Sequence, residues 1–335
     1  MKKIKDSECE MKNKGKGKRI LFWIAVFLLF IIGIGCFAAS FMLSGINRGE
    51  VELVEENLSV NEELSDKVIN VAVFGVDSRS DDVAGRSDAM MILSVDVKHD
   101  KIKAVSLMRD SLVEIPGYGK KKLNSAYALG GEELAIKTIN HNFDMNITDY
   151  VALNFNQLAG IVDALGGVDV EITEAERKNA NKFIKEMADE AGVKAELIKE
   201  SGEVTLYGYQ AVAYTRIRYV GNADFQRTER QREVMRKLMD KALDAGFMRY
   251  PALIRSLSPM VKTSLSNEEI LKIAGALLMV GRPEFEEGRF PIDGTYKTNS
   301  SYAMVYDMEA AAEKLHSFIY DDEPFYETEE EMIEE

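Results

Sequence analysis

From Ile20 to Ile46 the chain carries 27 consecutive residues without a charge. At a rise of about 1.5 Å per residue such a helix spans roughly 40 Å, more than the ~30 Å hydrocarbon core of a bilayer. Lys2, Lys3, Lys5, Lys12, Lys14, Lys16, Lys18 and Arg19 precede it, opposed only by Asp6, Glu8 and Glu10. This asymmetry predicts a cytoplasmic basic tail at residues 1–19, a single-pass transmembrane signal anchor at residues 20–46, and an extracellular remainder. Two other readings fit less well. A cleaved signal peptide has an apolar stretch of about 7–15 residues, although Ala38-Ala39-Ser40 would suit a cleavage site. A lipid-modified Cys36 wants an aliphatic residue three positions earlier, where Gly33 stands.

After an acidic, polar linker at residues 47–67, short β-branched runs alternate with helical periodicities. Val68–Val76 is apolar nearly throughout, which predicts a strand buried on both faces. Ala89–Val97 and Lys101–Met108 predict two more strands, joined by a turn at His99-Asp100. Gly131–Phe143 predicts a helix, Tyr150–Phe155 a strand, Asn156–Leu165 a helix stopped by Gly166-Gly167, and Val168–Ile172 a strand. The charged, Ala-rich Glu174–Lys199 predicts a helical insertion on the surface, and Asp224–Ala245 a long amphipathic helix. Helices follow in Pro251–Val261 and Asn267–Val280, a late strand at Phe290–Asp293, and a last helix at Asp307–Tyr320. The alternation predicts an α/β sandwich around a mainly buried sheet over residues 68–320. The tail, residues 321–335, has nine acidic residues in fifteen and predicts disorder.

Charge sharpens this division. Met1–Arg48 holds nine basic and three acidic residues, a net of +6, which leaves −20 for the rest of a 335-residue chain whose total is −14. So acidic an outer region excludes binding by broad phosphate neutralisation, and no nucleic-acid partner is expected. Both cysteines, Cys9 and Cys36, fall in the first section, so no disulfide framework holds the outer domain. His99, His141 and His316 have no metal-ligand spacing, and neither a G-x-x-x-x-G-K-[ST] loop nor a G-x-S-x-G motif is present.

Four clusters could carry chemistry. Gly75-Val76-Asp77-Ser78-Arg79 ends the first outer strand, where open α/β sheets bind ligands; it also suits a plain polar turn. Gly85-Arg86-Ser87-Asp88 precedes the second strand, and Arg86 with Asp88 equally suits a surface ion pair. Arg109-Asp110 ends the third strand, a ligand position or a capping pair. The fourth cluster packs Arg216, Arg218, Arg227, Arg230 and Arg232 into seventeen residues without a lysine. Guanidinium grips phosphate through two parallel hydrogen bonds. An extended stretch around Arg216 would aim Arg216 and Arg218 the same way. On the following helix Asp224, Arg227 and Gln231 share a face, with N-capping as the plainer role for Asp224. Together the clusters suit a multiply charged phosphate held with a hard divalent ion such as Mg²⁺.

In this order the segments NVAVFGVDSR (70–79), GRSDAMMILSV (85–95), SLMRDSLVEIPG (106–117), KLNSAYALGG (122–131), ALNFNQLAGIVDALGGVDVEI (152–172) and YGYQAVAYTRIRYVGNADFQRTERQR (207–232) resemble the LytR-CpsA-Psr family of envelope proteins. The resemblance covers about half the chain. It implies a three-layer α/β/α-like sandwich around a mixed sheet, with a hydrophobic pocket for a polyprenyl chain. It implies transfer of a teichoic acid or capsular polysaccharide from a polyprenyl-pyrophosphate carrier onto a peptidoglycan acceptor, at the membrane. Carried over by position, Asp77 and Asp88 match the family's Mg²⁺ (or Mn²⁺) aspartates. Arg79, Arg86, Arg109, Arg216 and Arg218 match its pyrophosphate-contacting arginines, and Asp224, Arg227 and Gln231 a trio on the late helix. Met108, Ala89 and Gln226 depart from the family's frequent proline, threonine and glycine. Hydrolysis of the same pyrophosphate, or non-catalytic lipid binding, would use the same residues. Direct DNA regulation does not suit an external domain behind a 19-residue cytoplasmic segment.

Overall fold

The computed structural model describes residues 47–48, 53–76, 85–218, 223–246 and 249–326. The basic tail, the anchor at 20–46, and Asp77 and Arg79 lie outside these residues. Among the described residues no helix is long and apolar enough to cross a membrane.

The strands are β1 (Asn47–Arg48), β2 (Val68–Val76), β3 (Ser87–Asp96), β4 (Lys101–Leu107), β5 (Leu112–Ile115), β6 (Gly119–Lys122), β7 (Asp149–Asn154), β8 (Val168–Ile172), β9 (Gly202–Leu206), β10 (Lys262–Thr263) and β11 (Glu284–Phe290). The main helices are α1 (Asn124–Phe143), α2 (Phe155–Ala164), α3 (Glu174–Ala191), α4 (Gly208–Arg216), α5 (Ala223–Asp244), α6 (Tyr250–Leu257), α7 (Asn267–Val280) and α8 (Met308–Tyr320). Seven strands form one mixed sheet in the order β1-β10-β7-β2-β3-β4-β11. The pairs β7–β2 and β4–β11 are parallel, whereas β2–β3 and β3–β4 are antiparallel.

Alternation along the strands separates the two faces. Ala72, Phe74, Val76, Met90, Ile92, Val105 and Leu107 pack in one cluster with Ile136, Ile139 and Phe143 of α1 and Leu315, Phe318 and Ile319 of α8. A second cluster joins α2, β8, α3, β9, α4 and α5 through Val162, Val170, Ile184, Leu206, Val212 and Val234.

Several expectations change. Val168–Ile172 is a strand, but it pairs with β9 in a separate ribbon. α3 is not a surface insertion: Ala180, Ile184 and Met187 are buried in the second cluster. An i, i+4, i+7 set of small and apolar residues outweighs the helix's many charges. The late strand runs Glu284–Phe290, earlier than predicted: it pairs in parallel with β4 at the sheet edge, and its acidic first half, partly exposed there, gives no apolar run to read. The first residues of the acidic tail are folded: Asp322 pairs with Lys101 and Lys103, and Phe325 is buried against Phe290 and Phe318.

Candidate active site

Between the sheet and the second helical cluster lies a cavity of about 800 Å³. Its floor is the face of the sheet opposite α1 and α8, namely Val73, Gly75, Ala89 and Met91. Gly75 is needed here, since a Cβ on it would meet the Cβ of Ala89 at 3.0 Å. The apolar walls are Leu158 and Ile161 of α2 with Leu165 just after it, Phe183 of α3, and Val234, Leu238 and Ala242 of α5. On α5 the same face carries Arg227 and Gln231 one turn earlier, so a single helix leads from charge to hydrocarbon. From Arg227 to Ala242 that face covers roughly 22 Å at the α-helical rise.

The mouth is charged. Arg86, Arg109, Arg216, Arg218 and Arg227 line it against one described carboxylate, Asp88. A β-bulge aims that carboxylate. β2 and β3 pair Gly75 with Ala89 and then Val76 with Ser87, leaving Asp88 as the extra residue. Strict alternation would turn Asp88 toward the α1 face with Met90; the bulge re-aims it to the cavity. The Ser87 hydroxyl, donating to the Ala89 carbonyl at 2.7 Å, holds the distortion.

Asp88 Oδ1 accepts from Arg109 Nη1 at 2.7 Å, and Oδ2 from Arg218 Nη2 at 3.3 Å. Asp110 Oδ1 pairs with Lys122 Nζ at 2.7 Å, and its Oδ2 lies 3.5 Å from Arg109 Nε. Arg216 ends α4, so the extended stretch predicted around it is helical up to that residue, and the backbone turns extended only at Ile217. At the start of that helix Gln210 Oε1 accepts from the Tyr207 backbone N–H at 3.1 Å, the reciprocal half of a capping box. The Arg216 guanidinium lies 4.6 Å from the centre of the Phe155 ring and 5.0 Å from that of Phe183. Those two rings fix it where the charged mouth meets the apolar walls.

The arginine cluster read from the sequence therefore divides. Arg216, Arg218 and Arg227 reach the cavity. Arg230 and Arg232 do not: they pair with Glu176 at 2.6 Å and Glu287 at 2.7 Å on the other side of α5. Asp224 is the second residue of α5 rather than its N-cap, because the helix starts at Ala223. Sequence reading missed Phe155 and Phe183 altogether; an aromatic at the start of α2 and another on α3 carry no local sign of a shared arginine. As for a divalent ion, Asp88 supplies the hard oxygen donors that Mg²⁺ or Mn²⁺ takes, each already engaged by a guanidinium. A grouping of Asp96, His99 and Asp322 lies on the opposite face of the sheet. There Lys103 supplies the cation, 3.2 Å from Asp96 and 2.9 Å from Asp322.

The LytR_cpsA_psr family model matches residues 44–316. A polyisoprenyl-teichoic acid–peptidoglycan teichoic acid transferase TagU of Bacillus cereus (strain AH820) is 32% identical over 263 residues, 76% of this chain and 81% of its own. The protein of the same name from Enterococcus faecalis (strain ATCC 700802 / V583) is 32% identical over 268 residues, 77% and 83% of the two chains. Among solved structures, TagT bound to LI-WTA superposes with a TM-score of 0.62 at 25% identity, covering 81% of this chain and 99% of that one. YwtF (TagT) with bound octaprenyl pyrophosphate lipid shares the fold at a TM-score of 0.58 and 24% identity, over 81% and 99%.

Proposed function

The chain belongs to the LytR_cpsA_psr family, and on that footing we propose that it is a membrane-associated transferase. It takes an anionic glycopolymer of the teichoic acid or capsular polysaccharide type from a polyprenyl-pyrophosphate carrier and joins it to peptidoglycan. One observation carries this reading: a single cavity joins an apolar trough to a mouth where five arginines face one described carboxylate. Five guanidiniums gathered at one end of an apolar trough suit a ligand with several negative charges on the end of a long hydrocarbon. The relatives' names supply the polymer and the acceptor.

In the proposed reaction an acceptor sugar hydroxyl attacks the phosphorus that carries the polymer. A new P–O bond forms as the bridging P–O bond to the polyprenyl phosphate breaks, and the hydroxyl proton passes to a carboxylate. Asp88 and Asp224 are the candidates for that base. Arg109 and Arg218 exchange Asp88 for the diphosphate, neutralising charge on the phosphoryl group and the leaving phosphate. Such preorganised positioning supplies most of phosphoryl transfer. Arg216, clamped between two rings, has few alternative positions and so loses little freedom on binding. Asp88, with Asp77, would hold Mg²⁺ or Mn²⁺, which would neutralise further diphosphate charge. Membrane association places enzyme and lipid-linked donor in one surface and raises their effective concentration.

The test is transfer by purified Arg109→Ala and Arg216→Ala proteins. Each is expected to lose roughly a hundredfold or more in rate, the scale of removing a preorganised charge donor, with an unchanged unfolding midpoint. Near-normal transfer by folded variants would sink the assignment. Release of free polymer phosphate without an acceptor would favour hydrolysis instead.

A further inference from the structure

A second cavity, of about 540 Å³, opens against the other side of α5. At 100° per residue, Gln226, Glu229, Glu233 and Arg236 point away from the face that carries Arg227, Gln231, Val234 and Leu238. The two cavities differ in kind. The second brings four guanidiniums, of Arg230, Arg232, Arg236 and Arg289, against five carboxylates. Burial pushes the Glu176 carboxyl up, but hydrogen bonds from Thr173 and Arg230 outweigh it and hold it below the usual range, so it stays charged. This lining has no positive excess for a phosphate chain, and its fixed charges exclude a lipid tail.

What it offers is a dense set of fixed donors and acceptors. Arg232 Nε donates to Glu287 at 2.7 Å while its Nη1 donates to Ser106 Oγ at 3.1 Å. Arg289 is 4% exposed and stacks 4.0 Å from the centre of the Phe225 ring. One of its nitrogens pairs with Asp293 at 2.9 Å, but Nη1 is buried with no hydrogen-bond partner. A buried guanidinium N–H without an acceptor is costly, and an oxygen entering from the cavity would remove that cost.

We propose that this cavity binds the neutral acceptor glycan, an oligosaccharide whose hydroxyls donate to the carboxylates and whose amide carbonyls accept from the arginines. The proposal rests on the transferase reading for its choice of acceptor. Position supports it. Arg289 lies beside Ser106 in the β11–β4 register, three residues before Arg109. At about 3.3 Å per residue that places it about 10 Å from the diphosphate mouth, within reach of a neighbouring sugar unit of one strand.

The experiment uses the full chain in detergent micelles, titrated with a neutral β-1,4-linked N-acetylglucosamine tetramer by ligand-observed NMR and calorimetry. Glu229 and Arg236, both exposed, make no ion pair among the described residues, so Glu229→Ala with Arg236→Ala leaves the fold and net charge unchanged. The double variant is expected to bind the tetramer at least roughly tenfold more weakly, the loss of one charge-assisted hydrogen bond. Its affinity for a short polyprenyl diphosphate should not change. Absence of saturable binding to the unmodified chain, or equal binding by the double variant, overturns the proposal. So does stronger, variant-sensitive binding of a soluble poly(glycerol phosphate), which would assign the cavity to the donor polymer. Failure of the transferase reading looks different: the unmodified chain would transfer no polymer and bind no polyprenyl diphosphate while the tetramer still binds.

Discussion

On one face of the central sheet Ala72, Phe74, Met90, Ile92 and Val105 meet α1 and α8 and are almost wholly buried. On the other face of the same strands, Val73, Gly75, Ala89 and Met91 look into a cavity. Charge follows the same division. Lys103, on the filled face and completely buried, is satisfied by Asp96, Asp322 and the Ile319 carbonyl at 3.2 Å. On the hollow face the arginines outnumber the described acid. A buried charge that serves the fold is matched within the chain, because leaving it unmatched costs several kcal/mol. The hollow face also gives up dispersion contacts that a closed core would make.

The sharpest way to break this comparison is at Lys103. Replacement by Met leaves Asp96 buried with only His99, at 2.6 Å, as a side-chain partner, and should cost about 3–5 kcal/mol in urea unfolding. A pH series adds a sign. Burial pushes the Asp96 carboxyl up, but hydrogen bonds from His99 and Lys103 outweigh it and hold it below the ordinary carboxylate range. Its stabilisation is therefore complete above the unfolded value of about 3.9 and is lost as pH falls through the lower folded value. The Lys103→Met protein should lose less stability over that acid range than the unmodified one. An equally steep acid limb in both would break the link to this pair.

Next in size, one truncation placed on both faces tests the packing. Val105→Ala, on the filled face, should cost about 2–3 kcal/mol from two lost methyl groups and the void they leave. The binding counterpart is Leu158→Trp on the cavity wall, expected to weaken polyprenyl diphosphate roughly tenfold or more with the unfolding midpoint kept. If the lipid binds Leu158→Trp normally, the trough is not its seat. The smallest effect is expected from Val73→Ala, at about 1 kcal/mol or less, since its methyls already face empty space. Equal costs at Val73 and Val105 would mean that the cavity closes in solution.

Much of this was legible in the chain itself. β2, β3 and β4 follow directly from β-branched runs, because a short apolar segment between turn residues has few other ways to bury itself. Asp88, Arg109, Arg216, Arg218, Arg227 and Gln231 stand out by charge type and spacing, and the fold brings all six to one mouth. The elements that failed share a reason. β9 and α4 are short, and α3 is highly charged, so their burial depends on partners far along the chain.

The sequence by itself determined which segments become strands and helices and which side chains carry chemistry, since both depend on local pattern and residue type. Only the tertiary structure decided which arginines serve the site. Arg227 and Arg230 are three residues apart on one helix, yet one lines the cavity beneath the sheet and the other is tied to Glu176. It also decided that Asp88 faces the cavity, through a bulge that alternation alone would not predict, and that Phe155 and Phe183 hold Arg216 from two separate helices. These outcomes depend on contacts between residues distant in sequence, and a local pattern contains no term for them.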